Sequence, residues 1–488
     1  MREFWLDQGF LYNPKKDLYE EKCPKCQGTI TALDVGFTCT DCDIQGTPLD
    51  WLWKFKGFPL ETAEKRVKYF ADTKEEDSLN SNKIAERLML SNKFIYHNSS
   101  FYSYLNGVYV KQEEIIVDKI VKNIFGIKFK SHSANEVRNA LAVETFVPHG
   151  NVNKNKKLLN FKNCLLDLDT LKIQEHSPEI VSTVQLNIEY DINKNCPLWE
   201  KTLNEIFEGD KDKILLLQQF MGYCLTPDNT FQTALLNVGE GSNGKSIIMW
   251  TLQNILGQQN YSTVQLSDFG NRHYIACMVN KLANISIESD NKFSINDANF
   301  KAIITGDEIN VEEKYKPTYQ TRLFCKLIFT MNDLPRVDDK TDAFFRRLKI
   351  LRYNKQFKKD EDNRNLKFDL MAEYSGIVNW MIFGMKNLYK HKGFVTNEQM
   401  EVEVLDYRKE NNNVYAFAEE CLAFDDTLQC SKKDIYARYC KYCGENGYKP
   451  FAIKKMGKEL KKIYPNIKDF VHPSGVMRCW KNVGILTD

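Results

Sequence analysis

The middle of the chain alternates between short apolar segments and stretches with helical spacing. Residues 233–238, 281–287 and 326–331 are largely apolar runs of strand length, and a further run follows at 348–350. Apolar positions at helical spacing begin at Ile247, soon after the first of these runs. Strands that alternate with helices are typical of an α/β fold with a mostly parallel sheet. We therefore predict such a domain in the middle of the chain.

The segments on either side have different patterns. Residues 76–195 combine a helical stretch at 113–124 with short strands near 101–110 and 165–173, which predicts a mixed α+β domain. Residues 396–488 give three helices followed by a two-stranded hairpin, the order of a winged helix. The predicted fold class is therefore multidomain α/β.

Bulk properties place the chain among globular proteins. Its 488 residues are 43% hydrophobic and 27% charged, enough for three or four domains. No apolar run approaches the ~20 residues that span a bilayer, and the start lacks a signal-peptide layout, so we expect no membrane contact. Fourteen cysteines without a secretion signal indicate the reducing cytoplasm. The net charge of +2 argues neither for nor against nucleic acid.

Residues 239–246 read GEGSNGKS and match the phosphate-binding pattern G-x-x-x-x-G-K-[ST]. Glycines let backbone N–H groups turn toward phosphates, and the next helix N-terminus adds partial positive charge. Lys245 is expected to reach the β- and γ-phosphates of ATP, and Ser246 to hold Mg²⁺. The predicted nucleotide site comprises Gly239, Glu240, Gly241, Ser242, Asn243, Gly244, Lys245 and Ser246.

Further positions carry groups that hydrolysis needs. Glu288 follows an apolar strand and is the candidate base that orients water, with Asp290 assisting or contacting the metal. No acid directly precedes Glu288, which leaves the outer Mg²⁺ ligand open. Asn332 ends the next strand, where it can contact the γ-phosphate. Arg346 and Arg347, the latter slightly favoured, are candidates for an arginine finger that completes a neighbour's site; either is equally an ordinary surface arginine.

Two C-x₂-C pairs near the start, separated by twelve residues, supply zinc ligands. Cys23 and Cys26 form the first pair, and Cys39 and Cys42 the second. Four thiolates close the coordination sphere, so the predicted Zn²⁺ is structural. A third pair within residues 440–443 has no partner at this spacing, and we expect it in a core.

The order of the central motifs resembles the superfamily 3 helicases, and more narrowly the primase-helicases of phages, plasmids and poxviruses. GEGSNGKS, ISIESD, LIFTMNDLP and DAFFRRLKI follow one another within residues 200–390. The resemblance implies an AAA+ motor over residues 196–395 that forms a homo-hexamer and moves 3′→5′ along single-stranded DNA. It also implies a pore hairpin in which Lys314, Tyr315 and Lys316 contact DNA, by charge and stacking.

Two N-terminal segments carry further resemblances. Residues 46–64 are similar to the zinc-binding domain of bacterial and phage primases, so residues 1–75 are predicted to be a primase-like zinc ribbon. Such a ribbon implies template recognition on single-stranded DNA; the alternative is that it only docks domains. Residues 158–178 resemble the N-terminal module of the same primase-helicase group, with Cys164 in place of a family glycine.

The C-terminal region is locally basic. Residues 431–462 contain ten Lys or Arg and three Asp or Glu, with interleaved tyrosines. Lys454, Lys455 and Lys458 would line the third helix, the usual groove reader of a winged helix. Docking of a protein partner on this helix is the alternative.

These features predict an ATP-driven DNA helicase that replicates a phage or mobile element. The expected partners are single-stranded DNA, forked or origin duplex DNA, and element-encoded or host replication proteins. Two other functions stay open. One is an origin-binding initiator whose ATPase switches assembly, and the other is a primase-helicase that makes primers within residues 76–195.

Overall fold

The computed structural model divides the chain into two compact units, Met1–Lys154 with His176–Thr183, and Asn155–Glu175 with Val184–Asp488. No helix in the described part of the chain is long and apolar enough to cross a membrane. The described residues are 2–13, 18–33, 36–42, 44–60, 62–65, 67, 81–91, 93–125, 131–287, 297–314, 316–337, 342–358, 363, 365–471 and 478–486.

The first unit begins with a small antiparallel sheet around an aromatic core. The rings of Trp5, Phe10, Phe37 and Trp51 pack edge to face with centroids 5.0–6.4 Å apart. Thr47 caps the short helix after the sheet: its side chain accepts a hydrogen bond from the Asp50 N–H. The Asp50 carboxylate in turn accepts a hydrogen bond from the Thr47 N–H. The elements are α1 (Arg2–Asp7), β1 (Leu11–Asn13), β2 (Leu18–Lys22), β3 (Thr29–Leu33), β4 (Gly36–Cys39), β5 (Gln45–Gly46), α2 (Pro48–Asp50) and a π-helical turn (Trp51–Phe55).

Among the described residues, the first unit also contains a three-stranded antiparallel sheet that packs with three helices. Their shared core contains Ile84, Leu88, Val117, Val137 and Leu141, each at most 2% exposed. The apolar spacing within residues 114–125 places Val117 on the buried face of its helix, as the sequence pattern predicts. The elements are α3 (Ser81–Ser91), β6 (Phe94–His97), β7 (Ser100–Leu105), β8 (Val108–Lys111), α4 (Glu114–Phe125) and α5 (Ser131–Glu144).

The second unit is built on a five-stranded sheet in the order β13-β14-β17-β12-β18, and each neighbouring pair is parallel. The central strand β12 has all five residues buried, as expected for a strand covered on both faces. The predicted α/β domain with a mostly parallel sheet is thus confirmed. The strands are β12 (Ala234–Val238), β13 (Tyr261–Ser262), β14 (Ala283–Ile287), β17 (Lys326–Met331) and β18 (Leu348–Arg352).

Helices cover this sheet, and a hairpin interrupts the connection from β14 to β17. Helices α7 and α13 approach closely because Gly222 and Gly384 face the opposite backbone; a Cβ at Gly222 would lie 2.2 Å from the Met381 carbonyl oxygen. The elements are β9 (Leu158–Asn160), β10 (Leu165–Asp167), β11 (Ile173–Gln174), α6 (Pro197–Ile206), α7 (Lys211–Tyr223), α8 (Lys245–Leu256), α9 (Arg272–Ala276), α10 (Asp297–Thr305), β15 (Glu308–Val311), β16 (Tyr319–Arg322), α11 (Asp342–Phe345), α12 (Leu366–Met371), α13 (Tyr374–His391) and α14 (Glu398–Asn411).

The C-terminal part of the second unit has its own apolar core around Phe417, Tyr439, Leu460 and Trp480. Its helices and hairpin occur in the predicted order, and a strand before the second helix adds a third member to the sheet, in the order β20-β22-β21. Its assignment as a winged helix stays a prediction. The elements are α15 (Asn413–Cys421), β19 (Leu422–Ala423), β20 (Gln429–Ser431), α16 (Lys432–Glu445), α17 (Ile453–Ile463), β21 (Lys468–Val471), β22 (Arg478–Lys481) and β23 (Gly484–Ile485).

Candidate functional site

The carboxyl ends of β12, β14 and β17 meet at one edge of the parallel sheet. The phosphate-loop segment follows β12, Asn332 follows β17 directly, and β17 lies between β12 and β14. Ligands of open α/β sheets bind at this edge, outside the carboxyl ends of the strands. Residues far apart in sequence are therefore brought to one place by the strand order.

The loop before α8 has the backbone of an anion-binding turn. Gly244 is left-handed, with φ 86° and ψ −7°, and it caps the N-terminus of α8. A Cβ at Gly244 would lie 2.4 Å from Cδ1 of Ile206, so both the backbone and the packing favour glycine. Ser242 is also left-handed, with φ 56°. The first N–H groups of α8 are thereby left without helical partners and can receive an anion.

Lys245 is held over the loop that it follows. Its Nζ donates to the carbonyl oxygens of Gly239 and Glu240, the latter at 2.9 Å. The side chain is 6% exposed, and burial lowers the pKa of Lys245. A negative ligand strongly stabilises a buried cation that has only neutral partners, because an uncompensated charge is unfavourable in a low dielectric.

A cavity of about 280 Å³ opens above this loop. Asn332, one of the predicted contacts, lines it together with the loop, whereas Glu288 and Asp290 lie outside the described residues. The Ser246 hydroxyl, the Lys245 ammonium and the open N-terminus of α8 suit a nucleotide phosphate with Mg²⁺. Lys245 would contact the phosphate, and Ser246 would contact the ion. The lining residues are Gly241, Ser242, Asn243, Gly244, Lys245, Ser246, Ile247, Ile287, Thr330, Met331 and Asn332.

The segment after β18 fastens the phosphate loop, which the motif search did not anticipate. The Phe357 N–H donates to the Ser242 carbonyl oxygen at 2.7 Å, and Gln356 Nε2 donates to the Glu240 carboxylate at 2.7 Å. The buried Tyr353 hydroxyl donates to Asn237 Oδ1 at 3.0 Å. The sequence signal for this contact was Asn237, an asparagine within an otherwise apolar strand, because a buried side-chain amide requires hydrogen-bond partners.

The two predicted arginines lie at the opposite edge of the sheet. The Arg347 carbonyl oxygen accepts from the N–H of Ala234, the first residue of β12. Since β12 has five residues at ~3.3 Å each, this position is about 16 Å from the phosphate loop. Arg347 is half-buried, its Nη1 donates to the Ala343 carbonyl oxygen, and burial lowers its pKa, whereas Arg346 is exposed. Neither arginine lines the cavity of its own chain.

The predicted hairpin is formed by β15 and β16, with Glu308 opposite Arg322 and Val311 opposite Tyr319. Lys314 is exposed in the connecting loop, and Lys316 pairs with Glu313 at 3.2 Å. Tyr315 lies outside the described residues.

The four N-terminal cysteines converge. All four Sγ atoms lie within 4.8 Å of one another, and the Cys23–Cys42 and Cys26–Cys39 separations are both 3.6 Å. Thiolates at ~2.3 Å from a tetrahedral Zn²⁺ lie about 3.8 Å apart, so the spacing fits zinc and is too long for disulfides. No other cluster of this kind occurs among the described residues. Of the third pair, which was expected in a core, Cys443 is fully buried in the C-terminal core and Cys440 packs against that core, partly buried.

The predicted lysines of α17 face solvent. Lys454, Lys455 and Lys458 are exposed, while Met456 and Leu460 on the opposite side are buried. Lys455 also lies over the ring of Phe451, 4.0 Å from its centroid. The helix thus presents one cationic face, a common feature of phosphate-contacting surfaces.

Comparisons with known families identify three matching regions. The family described as D5 N terminal like matches residues 65–208, and the Poxvirus D5 protein-like family matches residues 409–482. Between them, a family of unknown function (DUF5906) matches residues 237–347, which contain the phosphate loop and Asn332.

Curated relatives are viral. The chain is 22% identical over 268 residues to a putative helicase of Acanthamoeba polyphaga mimivirus, covering 51% of this chain and 27% of that protein. It is 23% identical over 231 residues to a putative helicase of Invertebrate iridescent virus 6, covering 44% of this chain and 24% of that protein. The chain therefore spans about a quarter of the length of these relatives.

Among solved structures, the apo C-terminal region of NrS-1 has a TM-score of 0.53 at 14% identity, covering 84% of this chain and all of that one. This likeness shows a shared fold. Regions that match D5-type families flank the phosphate-loop region of this chain on both sides. These likenesses support the resemblance of the chain to the primase-helicase group of phages and poxviruses.

Proposed function

We propose that the chain is an ATP-driven DNA helicase for replication of a phage or mobile element, working as a hexameric AAA+ ring with 3′→5′ polarity. The observation that supports this most directly is the cavity shared by Lys245, Ser246 and Asn332. In it, Lys245 neutralises the phosphates, Ser246 holds Mg²⁺, and Asn332 senses the γ-phosphate. Glu288 would activate water, with Asp290 assisting.

A ring is supported by the position of the arginines. Because they lie about 16 Å from the phosphate loop of their own chain, neither of them would stabilise the transition state there, and either would have to act at a neighbour's site. The exposed Arg346 suits this function better than Arg347, whose guanidinium already bonds within its own chain. We therefore assign the finger to Arg346.

The hairpin and the zinc module supply the contacts with DNA. The exposed Lys314 at the hairpin loop would meet the strand in the pore, with Tyr315 stacking and Lys316 close by. The cysteine cluster would hold Zn²⁺ as a structural ion and present the ribbon to single-stranded DNA.

The test is DNA-stimulated ATPase and strand displacement by the whole chain. Lys245→Ala should lose both activities, by at least about 100-fold, because the phosphates lose their main cation. Lys386→Ala, the same substitution at an exposed lysine on α13, is the matched control and should retain them. Wild-type activity in Lys245→Ala would refute the proposal.

A second candidate function is an origin-binding initiator, favoured by the exposed lysine face of α17. Such a face would let Lys454, Lys455 and Lys458 contact duplex DNA. Footprinting on the element's own origin separates the two functions. A sequence-specific footprint that persists without ATP favours the initiator, and its absence favours the helicase.

A further inference from the structure

Thr330 carries a buried hydroxyl that the proposed roles leave unused. The residue is 5% exposed on β17, and its Oγ1 has no hydrogen-bond partner among the described residues. It nevertheless lines the same cavity as Lys245, Ser246 and Asn332. Burying an unpaired hydroxyl is unfavourable, so such a group in a native protein calls for an explanation.

The sheet register places Thr330 between β12, which leads into the phosphate loop, and β14, which leads toward Glu288. It pairs with Asn237 of β12 on one side and with Ile287 of β14 on the other. Thr330 and Asn332 are two residues apart along one strand direction and both line the cavity, Thr330 deeper and Asn332 at the rim. Thr330 therefore lies in the lining of the cavity in register with Ile287.

Ile287 occupies the position directly before Glu288, where the sequence lacks an acid. Its side chain lines the cavity but is apolar and 62% exposed, so it has no group with which to hold a water molecule. Mg²⁺ bound through one protein oxygen and phosphate oxygens keeps several waters, and these waters need acceptors. Among the polar side chains that line the cavity, Thr330 carries a buried hydroxyl oxygen with no hydrogen-bond partner among the described residues, and this oxygen can act as such an acceptor.

We propose that Thr330 is a positioning residue for Mg²⁺: its Oγ1 accepts a hydrogen bond from water on the ion that Ser246 holds. The inference rests on the proposed nucleotide site and deepens it. Thr330 thus provides, from the neighbouring strand, the outer contact that an acid before Glu288 would otherwise give.

The experiment compares Thr330→Val, which removes the hydroxyl at equal volume, with Thr330→Ser, which keeps it. Thr251→Val is the matched control, because Thr251 on α8 is also fully buried with an unpartnered Oγ1 but does not line the cavity. Binding of a fluorescent ATP analogue is titrated with Mg²⁺ and repeated in EDTA. The melting temperature of each variant is measured without nucleotide.

We expect Thr330→Val to need about 10-fold more Mg²⁺ for half-maximal analogue binding, the usual effect of losing an outer-shell partner. Its affinity in EDTA should equal that of the wild type, and Thr330→Ser and Thr251→Val should keep the wild-type Mg²⁺ requirement. Without nucleotide, both valine variants should melt at or above the wild-type temperature, since an unpaired hydroxyl is replaced by a methyl group.

An unchanged Mg²⁺ requirement in Thr330→Val would overturn the inference, as would an equal loss of affinity with and without Mg²⁺. If Thr330→Val folds poorly, Thr330→Ala replaces it in the same titration. Failure of the wild type to bind the analogue at all would instead refute the proposed function, so the two failures are distinguishable.

Discussion

Gly244→Ala should weaken nucleotide binding through strain that can be worked out from the structure. Gly244 has φ 86°, where an L-residue with a Cβ costs ~1–2 kcal/mol. The new Cβ would also lie 2.4 Å from Ile206 Cδ1, and moving that buried side chain off its rotamer costs ~0.5–1.5 kcal/mol. The sum of these two terms is about 1.5–3.5 kcal/mol.

The loop can relieve this strain only by leaving the conformation that phosphate needs. Nucleotide binding must then restore this conformation, so the dissociation constant should rise roughly 10- to 300-fold, at about 1.4 kcal/mol per factor of ten. The assay is a titration with a fluorescent ATP analogue. Adding Ile206→Ala to Gly244→Ala should recover the packing part of the loss and leave the backbone part.

Gly241→Ala is the comparison within the same loop. A Cβ at Gly241 would have no protein atom within 4 Å, and its φ lies outside the left-handed region. Its melting temperature without nucleotide should match that of the wild type, while Gly244→Ala should melt lower. Wild-type affinity in Gly244→Ala, or equal destabilisation by the two alanines, would refute the reasoning.

Three further predictions address other parts of the chain. Cys39→Ser should abolish binding of one zinc ion per chain, measured by elemental analysis, whereas Cys443→Ser should keep it. Burial lowers the pKa of Lys326 to about 8 from 10.5, so the unfolded chain binds the extra proton between these values and this residue makes folding more favourable as pH rises. The unfolding free energy of the wild type relative to Lys326→Met should therefore rise by about 2–3 kcal/mol from pH 7 to 10, and a flat difference would contradict this. Mixing inactive Lys245→Ala and Arg346→Ala chains should restore roughly a quarter of wild-type ATPase, the share of intact interfaces in a random closed ring, while no recovery would exclude a shared site.

Local sequence signals, namely hydrophobic periodicity and turn motifs, predicted many of the helices and strands. The helix at Ile453–Ile463 contains Lys454, Lys455 and Lys458, which the sequence places on one predicted helix because lysines and apolar residues recur there at helical spacing. The strand and helix around the phosphate loop were predicted because the glycine motif marks the boundary between them. Both signals lie within about 15 residues of sequence, the range over which periodicity and turn chemistry act.

Features that depend on the order of strands in the sheet could not be predicted from local sequence patterns. The segment Leu158–Asn160 lies within the second compact unit, although the pattern grouped it with residues that precede it. Likewise, Thr330 is one polar residue in an apolar strand, and only the register shows that it pairs with Asn237 and Ile287. Parallel strands pair across long connections, so their order is fixed by packing of the whole sheet and not by any local pattern.

The same strand order separates the lysine of the phosphate loop from the two predicted arginines within one chain. Val238 ends β12 beside the phosphate loop, whereas Ala234 begins it beside Arg347, so the strand itself separates the lysine from the arginines. Side chains of arginine extend about 7 Å, less than half of the roughly 16 Å that five strand residues span. Position before the final strand predicts an arginine finger, and the sheet geometry places both arginines too far from the phosphate loop of their own chain to act there. Hydrolysis that depends on this arginine requires a second copy of the chain, and ring assembly then becomes part of the catalytic chemistry.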